Sequence, residues 1–154
     1  MSIKQRLLDD MKEAMRARQS ARLGCIRMLK SKIQEREVAL RATKGVGYEL
    51  EDEEALEVVS AYAKQRRDSI RAYEDAGRED LAAKEKAELE MIAVYLPEQL
   101  CEEDLRAIVS EAVAESGASS PREMGVVMKL VMPRVKGRAD GKQVNAVVSE
   151  LLQG

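Results

Sequence analysis

Apolar side chains recur every three or four positions along almost the whole chain, which is the spacing of a helix with one buried face. The first such stripe runs from Ile3 to Met15 and follows Ser2, a residue type that caps helix N-termini well. A second stripe runs from Leu23 to Leu40 and ends in a loop with two glycines, residues 43–47. No alternating strand pattern competes with these stripes, so the sequence predicts an all-α protein.

Two further helices are predicted in the middle of the chain. The third begins in the acidic cluster Glu51–Glu54, which suits the partial positive charge of a helix N-terminus, and it ends at Gly77. The fourth begins at Glu79 and ends before Pro97, because proline pushes the preceding residue out of helical geometry. We therefore place a domain boundary in the short segment 96–100, with residues 1–96 as an N-terminal four-helix domain.

The remaining residues, 97–154, are predicted to form a domain of three shorter helices. The second of these opens at Ser120 and Pro121, with Glu123 completing a capping box, and we expect Pro133 to end it. Gly125 inside this helix costs about 1 kcal/mol relative to alanine. Close approach of a neighbouring helix or of a ligand would offset that cost. Of the two, we expect a neighbouring helix to pack against Gly125.

Composition removes several classes of function. The chain has no histidine, phenylalanine or tryptophan, so it has no Ser-His or Cys-His pair, no imidazole metal ligand and few rings for stacking bases. Its two cysteines, Cys25 and Cys101, stand alone without metal-type spacing. We therefore predict no catalytic residue, no metal site and no cofactor.

The location of the protein is also constrained by pattern. Isolated cysteines fit a reducing compartment. The N-terminal residues lead straight into a charged amphipathic stripe without the apolar segment of a signal peptide, and no apolar run approaches the roughly 18 residues that a membrane span needs. We expect a cytoplasmic protein without membrane association.

The net charge is -2, but charged residues are distributed unevenly along the chain. Residues 1–50 carry 12 basic and 6 acidic side chains, whereas residues 51–100 carry 7 basic and 14 acidic ones. Oppositely charged neighbouring helices that attract each other would explain this pattern. An anion-binding surface on the first fifty residues is the alternative.

Two groups of basic residues are candidate binding sites. Arg66 and Arg67 form a secondary basic patch on the third helix, although pairing with acids of the same helix is an alternative. The main group surrounds the turn from Pro133 to Gly141, and no acidic residue lies between Glu123 and Asp140. This group suits phosphate binding, or it is a solvated loop whose glycines permit a tight turn. Its members are Lys129, Arg134, Lys136, Arg138 and Lys142.

Several stretches, in order, resemble the GatB/YqeY-like proteins. They are KQRRDS (64–69), AGREDL (76–81), YLPEQL (95–100), GAS (117–119), MGVVM (124–128) and VKGRADGKQVN (135–145). The resemblance implies two small all-α domains. It also implies that the C-terminal three helices are similar to the tail of the B subunit of the glutamine-dependent tRNA amidotransferase, which helps to hold tRNA.

This resemblance singles out residues of the basic turn. By similarity with the tail, Lys136, Arg138 and Lys142 contact RNA phosphates, and Gly137 and Gly141 allow close approach. Arg66 and Arg67 match the stand-alone proteins only, so a role taken from the tail does not extend to them.

Three functions follow as expectations. The first is a tRNA-binding accessory module, non-catalytic by itself, with tRNA or another structured RNA as partner. The second, implied by the family, is a component of amide transfer: a carbon–nitrogen ligase with glutamine as amido-N-donor. The third is a protein-interaction adaptor that docks through its acidic middle helices.

Overall fold

The computed structural model describes residues 1–153, and this part of the chain contains α-helices and one short 3-10 helix but no strand. The all-α prediction is therefore confirmed. The chain divides into two compact units, Met1–Leu96 and a second that begins at Pro97. The helices are α1 (Ile3–Arg16), α2 (Ser20–Lys44), α3 (Asp52–Asp75), α4 (Glu79–Ala93), α5 (Glu102–Ser116), α6 (Met124–Val135) and α7 (Gly141–Gln153).

The N-terminal unit packs α1 to α4 around one aliphatic core. Leu7, Leu29 and Ile92 are fully buried there, and they come from α1, α2 and α4 respectively. Gly77 ends α3 with a φ of 71°, in the left-handed region that favours glycine, so that α4 can fold back along α3. The predicted helical stripes are thus the buried faces of this unit.

The C-terminal unit packs α5, α6 and α7 around a second core that is dominated by valine. Leu105 of α5 is fully buried, as are several valines from all three helices. Close packing of short β-branched side chains compensates here for the absence of phenylalanine and tryptophan. The buried valines are Val109, Val127, Val131, Val135, Val144 and Val148.

Helix starts follow the predicted capping residues. The Ser2 hydroxyl accepts the Gln5 N–H at 3.2 Å. The Glu123 carboxylate accepts the backbone N–H groups of Ser119 and Ser120, at 2.6 and 3.3 Å. These side chains satisfy donors that a helix N-terminus otherwise leaves unpaired.

Two expectations about α6 are wrong. The helix does not end at Pro133 but continues to Val135, whose fully buried side chain offsets the one helical hydrogen bond that proline removes near a helix end. No neighbouring helix packs on Gly125, because a Cβ atom added there would meet nothing within 4 Å. Within residues 1–153, no helix combines the length and apolar character needed to cross a lipid bilayer.

Candidate nucleic-acid interface

The candidate site is the basic turn, which we define as residues 134–142; it includes the last residues of α6, the connection to α7 and the first residues of α7. Gly137 has a φ of 74°, a conformation that an L side chain resists. The backbone N–H groups of Arg138 and Ala139 both donate to the Val135 carbonyl, at 2.8 and 3.1 Å. The chain therefore reverses direction tightly after α6, and the glycine is needed for this geometry.

The segment from Pro97 to Leu100 holds the backbone of the basic turn in place. Leu100 N–H donates to the Arg138 carbonyl at 2.8 Å. The Gln99 amide Nε2 donates to the Gly137 carbonyl at 2.7 Å and to the Pro97 carbonyl at 2.9 Å. The segment that the sequence marks only as a domain boundary is thus a support for the turn.

The start of α7 fixes the other end of the turn. Asp140 Oδ1 accepts the Lys142 N–H at 3.2 Å, as a helix N-cap does. Lys142 is exposed in the first helical turn, where unpaired backbone N–H groups carry partial positive charge. A basic side chain and a helix N-terminus therefore occur at the same place.

The predicted basic residues differ in how their charges are used. Lys129, Lys136 and Lys142 are exposed. Arg134 forms an ion pair with Glu115 of α5, with 2.7 Å between Nη2 and Oε2. Arg138 is partly buried, and its Nε donates to the Glu98 carbonyl at 3.2 Å. The three lysines are thus exposed, whereas Arg134 and Arg138 contact other parts of the C-terminal unit and help to hold the turn in place.

The secondary patch in the N-terminal unit has a different environment. The Arg66 guanidinium lies 2.9 Å from a carboxylate oxygen of Glu85 and 3.5 Å from one of Glu88, and it stacks over the Tyr62 ring at 4.9 Å. Arg66 therefore pairs with acids of α4, rather than with acids of its own helix. Arg67 is partly buried on the same helix.

The acidic and cysteine side chains of the described chain are the remaining candidates for a metal site or a nucleophile. No cluster of three or more acidic or cysteine side chains within residues 1–153 is arranged to hold a metal ion. Burial raises the pKa of the Cys25 thiol to about 11, so the thiol is protonated and a weak nucleophile at neutral pH. The sulfur of Cys101 accepts the Asp104 N–H at 3.4 Å and caps α5.

The sequence matches a known protein family over most of its length. The family described as Yqey-like protein matches residues 4–152, nearly the whole chain. The chain belongs to the YqeY-like family. The resemblance to this family is therefore confirmed over both units.

Relatives with curated names are fungal proteins called "Altered inheritance of mitochondria protein 41, mitochondrial". The one from Pyrenophora tritici-repentis is 30% identical over 150 residues, which are 96% of this chain and 79% of that protein. Those from Saccharomyces cerevisiae and Vanderwaltozyma polyspora are 34% and 37% identical over 90 residues, which are 58% of this chain and 46% of each relative. Because these names state a mitochondrial location, the cytoplasmic location of this chain stays a prediction.

Proposed function

We propose that this protein is an RNA-binding accessory module that grips structured RNA, and tRNA first of all, through the basic turn. The observation that carries the proposal is the support of this turn by the 97–100 segment, which donates to the carbonyls of Gly137 and Arg138. A turn whose backbone is already fixed loses little conformational entropy when its side chains bind a ligand. The site is therefore built for binding before RNA arrives.

The chemistry of the turn fits phosphate better than other ligands. No acidic residue lies between Glu123 and Asp140, so the sequence leading into the turn is locally basic. Lysine side chains and helix N-termini are common donors to nucleic-acid phosphates, and these contacts supply affinity without reading sequence. The protein therefore recognises the sugar–phosphate backbone and the shape of the RNA, and by itself it performs no chemistry on the RNA.

A binding titration tests this function. Lys136→Ala combined with Lys142→Ala removes two exposed charges, while the hydrogen bonds from Gln99 and Leu100 to the turn do not involve either side chain. Two exposed ionic contacts of about 0.7 kcal/mol each correspond to about tenfold weaker binding of a tRNA transcript. The slope of log K against log salt should become shallower by about 2, roughly one unit for each lost phosphate contact.

The matched control removes the same charge elsewhere. Arg106 lies on α5 in an exposed ion pair with Glu150, and Lys84 is exposed on α4. The double variant Arg106→Ala with Lys84→Ala should retain both the affinity and the salt slope of the parent protein. Equal losses in the two double variants, or no tRNA binding by the parent protein, would refute the proposal. ATP- and glutamine-dependent transamidation of charged tRNA by the purified protein would refute its non-catalytic part.

A further inference from the structure

Helix α6 has a side that the core of the C-terminal unit does not use. Its buried valines, Val127, Val131 and Val135, face the core. Val126 and Met132 are 53% and 40% exposed on the rest of the helix, well above what an apolar side chain in a core shows. We call the outward side the exposed α6 face; it consists of Gly125, Val126, Lys129, Met132 and Pro133, all of them exposed.

Two residues of this face weaken the helix without improving its packing. Gly125 lowers helix stability relative to alanine, although a Cβ atom there would meet nothing within 4 Å. Pro133 has no N–H to donate to the carbonyl of Lys129 one turn earlier. A binding partner that approaches the helix backbone closely would explain why Gly125 and Pro133 occur on this face.

Lys129 of the exposed α6 face lies in a stretch, residues 124–139, that has basic residues and no acid. Lys129 and Lys136 are seven residues apart, which is two helical turns and about 10.5 Å along the axis on the same side. Arg122, exposed in the short 3-10 helix just before α6, adds a further positive charge near the start of this helix. The carboxylate of Glu123 binds backbone N–H groups, and Glu115 pairs with Arg134. The partner that complements these basic residues is a polyanion.

We infer that the exposed α6 face lies against the sugar–phosphate backbone of an RNA duplex, as a second part of the RNA site proposed above, on which this inference rests. Gly125 lets the RNA backbone approach the helix, and the basic residues take phosphates. The A-form shape of an RNA duplex and its 2′-hydroxyl groups, which DNA lacks, distinguish it from a DNA duplex at such a surface. The wide, shallow minor groove of A-form RNA displays riboses to such a surface.

Protein partners fit this face less well. A helix of 12 residues is about 18 Å long, and only two sizeable exposed apolar side chains, Val126 and Met132, lie on its face. A stable protein interface takes about 800 Å² from each partner, which such a narrow strip does not supply. If a second copy docked through the same face, the two Lys129 side chains would lie close together and repel each other.

Adding one methyl group to the face tests the inference without changing charge. Gly125→Ala should weaken binding of a tRNA transcript by about fivefold or more, the lower range for forcing a methyl group into a close contact. Gly24→Ala is the matched control, because Gly24 is also an exposed glycine inside a helix with nothing within 4 Å of an added Cβ. Both variants should fold and should be at least as stable as the parent protein, since alanine favours helix.

Three comparisons decide the outcome. Selective loss of tRNA binding by Gly125→Ala, together with tighter binding of an RNA duplex than of a DNA duplex of the same sequence, supports the inference. Binding by Gly125→Ala that equals the parent protein overturns it but leaves the basic turn as the RNA site. A parent protein that binds no tRNA overturns both proposals. Sedimentation that shows a dimer broken by Gly125→Ala assigns the face to a second copy and also overturns the inference.

Discussion

Glu37 of α2 is the one charged residue that is buried in the described part of the chain, with 7% of its surface exposed. Its carboxylate Oε1 accepts a hydrogen bond from Lys4 Nζ at 2.6 Å and another from the backbone N–H of Leu50 at 3.0 Å. This carboxylate thus ties α1 and the segment before α3 to α2. We predict that Glu37→Gln destabilises the N-terminal unit, because an amide oxygen keeps the shape but loses the charge.

The size of the loss follows from these two hydrogen bonds. A hydrogen bond to a charged group contributes about 1.5–3 kcal/mol, and a neutral one about 0.5–1.5 kcal/mol. The Leu50 bond weakens by about 1 kcal/mol when its acceptor becomes neutral, and the Lys4 bond, whose donor stays charged, loses an ion-pair attraction of up to about 1 kcal/mol, for a total of about 1–2 kcal/mol at neutral pH. Glu37→Ala should cost more, because the Leu50 N–H would lose its acceptor completely.

The chain offers a direct assay for this unit. All four tyrosines lie within residues 1–96 and there is no tryptophan, so tyrosine fluorescence during urea unfolding reports on the N-terminal unit. Glu35→Gln on the same helix is the control, since Glu35 is 70% exposed and forms an ion pair with exposed Lys32, one turn earlier in α2. It should change the free energy of unfolding by less than about 0.5 kcal/mol. Equal effects of the two substitutions would refute the reasoning.

The dependence on pH gives a second check. Burial alone would raise the pKa of Glu37, but hydrogen bonds from Lys4 and Leu50 outweigh it, and the pKa is lowered from its ordinary value of 4.5. The stability that this carboxylate adds is therefore fully present above about pH 4.5 and is lost as the pH falls through the folded-state pKa. The difference between the parent protein and Glu37→Gln should shrink in that window. A constant difference from pH 7 to pH 3 would contradict this.

Two further predictions concern single hydrogen-bonding groups. Gln99→Leu removes the amide that bridges the Pro97 and Gly137 carbonyls, so hydrogen exchange at the Leu100 and Arg138 amides should speed up even without RNA, and tRNA binding should weaken at an unchanged salt slope. Unchanged exchange would show that the amide does not hold the turn. Tyr95→Phe removes the hydroxyl that donates to Asp10 at 2.6 Å, and should cost about 1.5–3 kcal/mol of N-terminal stability in the tyrosine assay. A loss below about 1 kcal/mol would contradict that estimate.

Local features of this fold were predictable from sequence, whereas contacts between distant residues were not. The stripe from Ile3 and the cap at Ser2 depend on neighbouring residues, and both appear as expected. The hydrogen bonds of Glu98 and Gln99 to the basic turn join residues 38 to 40 positions apart, a distance at which periodicity carries no information. The exposed position of Gly125 also depends on the packing of α6, because a glycine that admits a neighbour and one that faces open space look the same in sequence.

The same limit applies to charge, and it explains why net charge says little about binding here. In the N-terminal unit, the ion pair Lys44–Glu54 joins the basic segment 1–50 to the acidic segment 51–100, whereas Arg66–Glu85 and Lys86–Glu74 lie within the acidic segment. Acids of α3 and α4 are thus partly paired with bases of the same segment. In the C-terminal unit, the basic turn begins within a stretch of sixteen residues without an acid, residues 124–139, although the segment 101–154 carries slightly more acids than bases. Salt screens charges beyond about 8 Å at physiological ionic strength, so a polyanion at the turn responds to the local basic residues and not to the net charge of the protein.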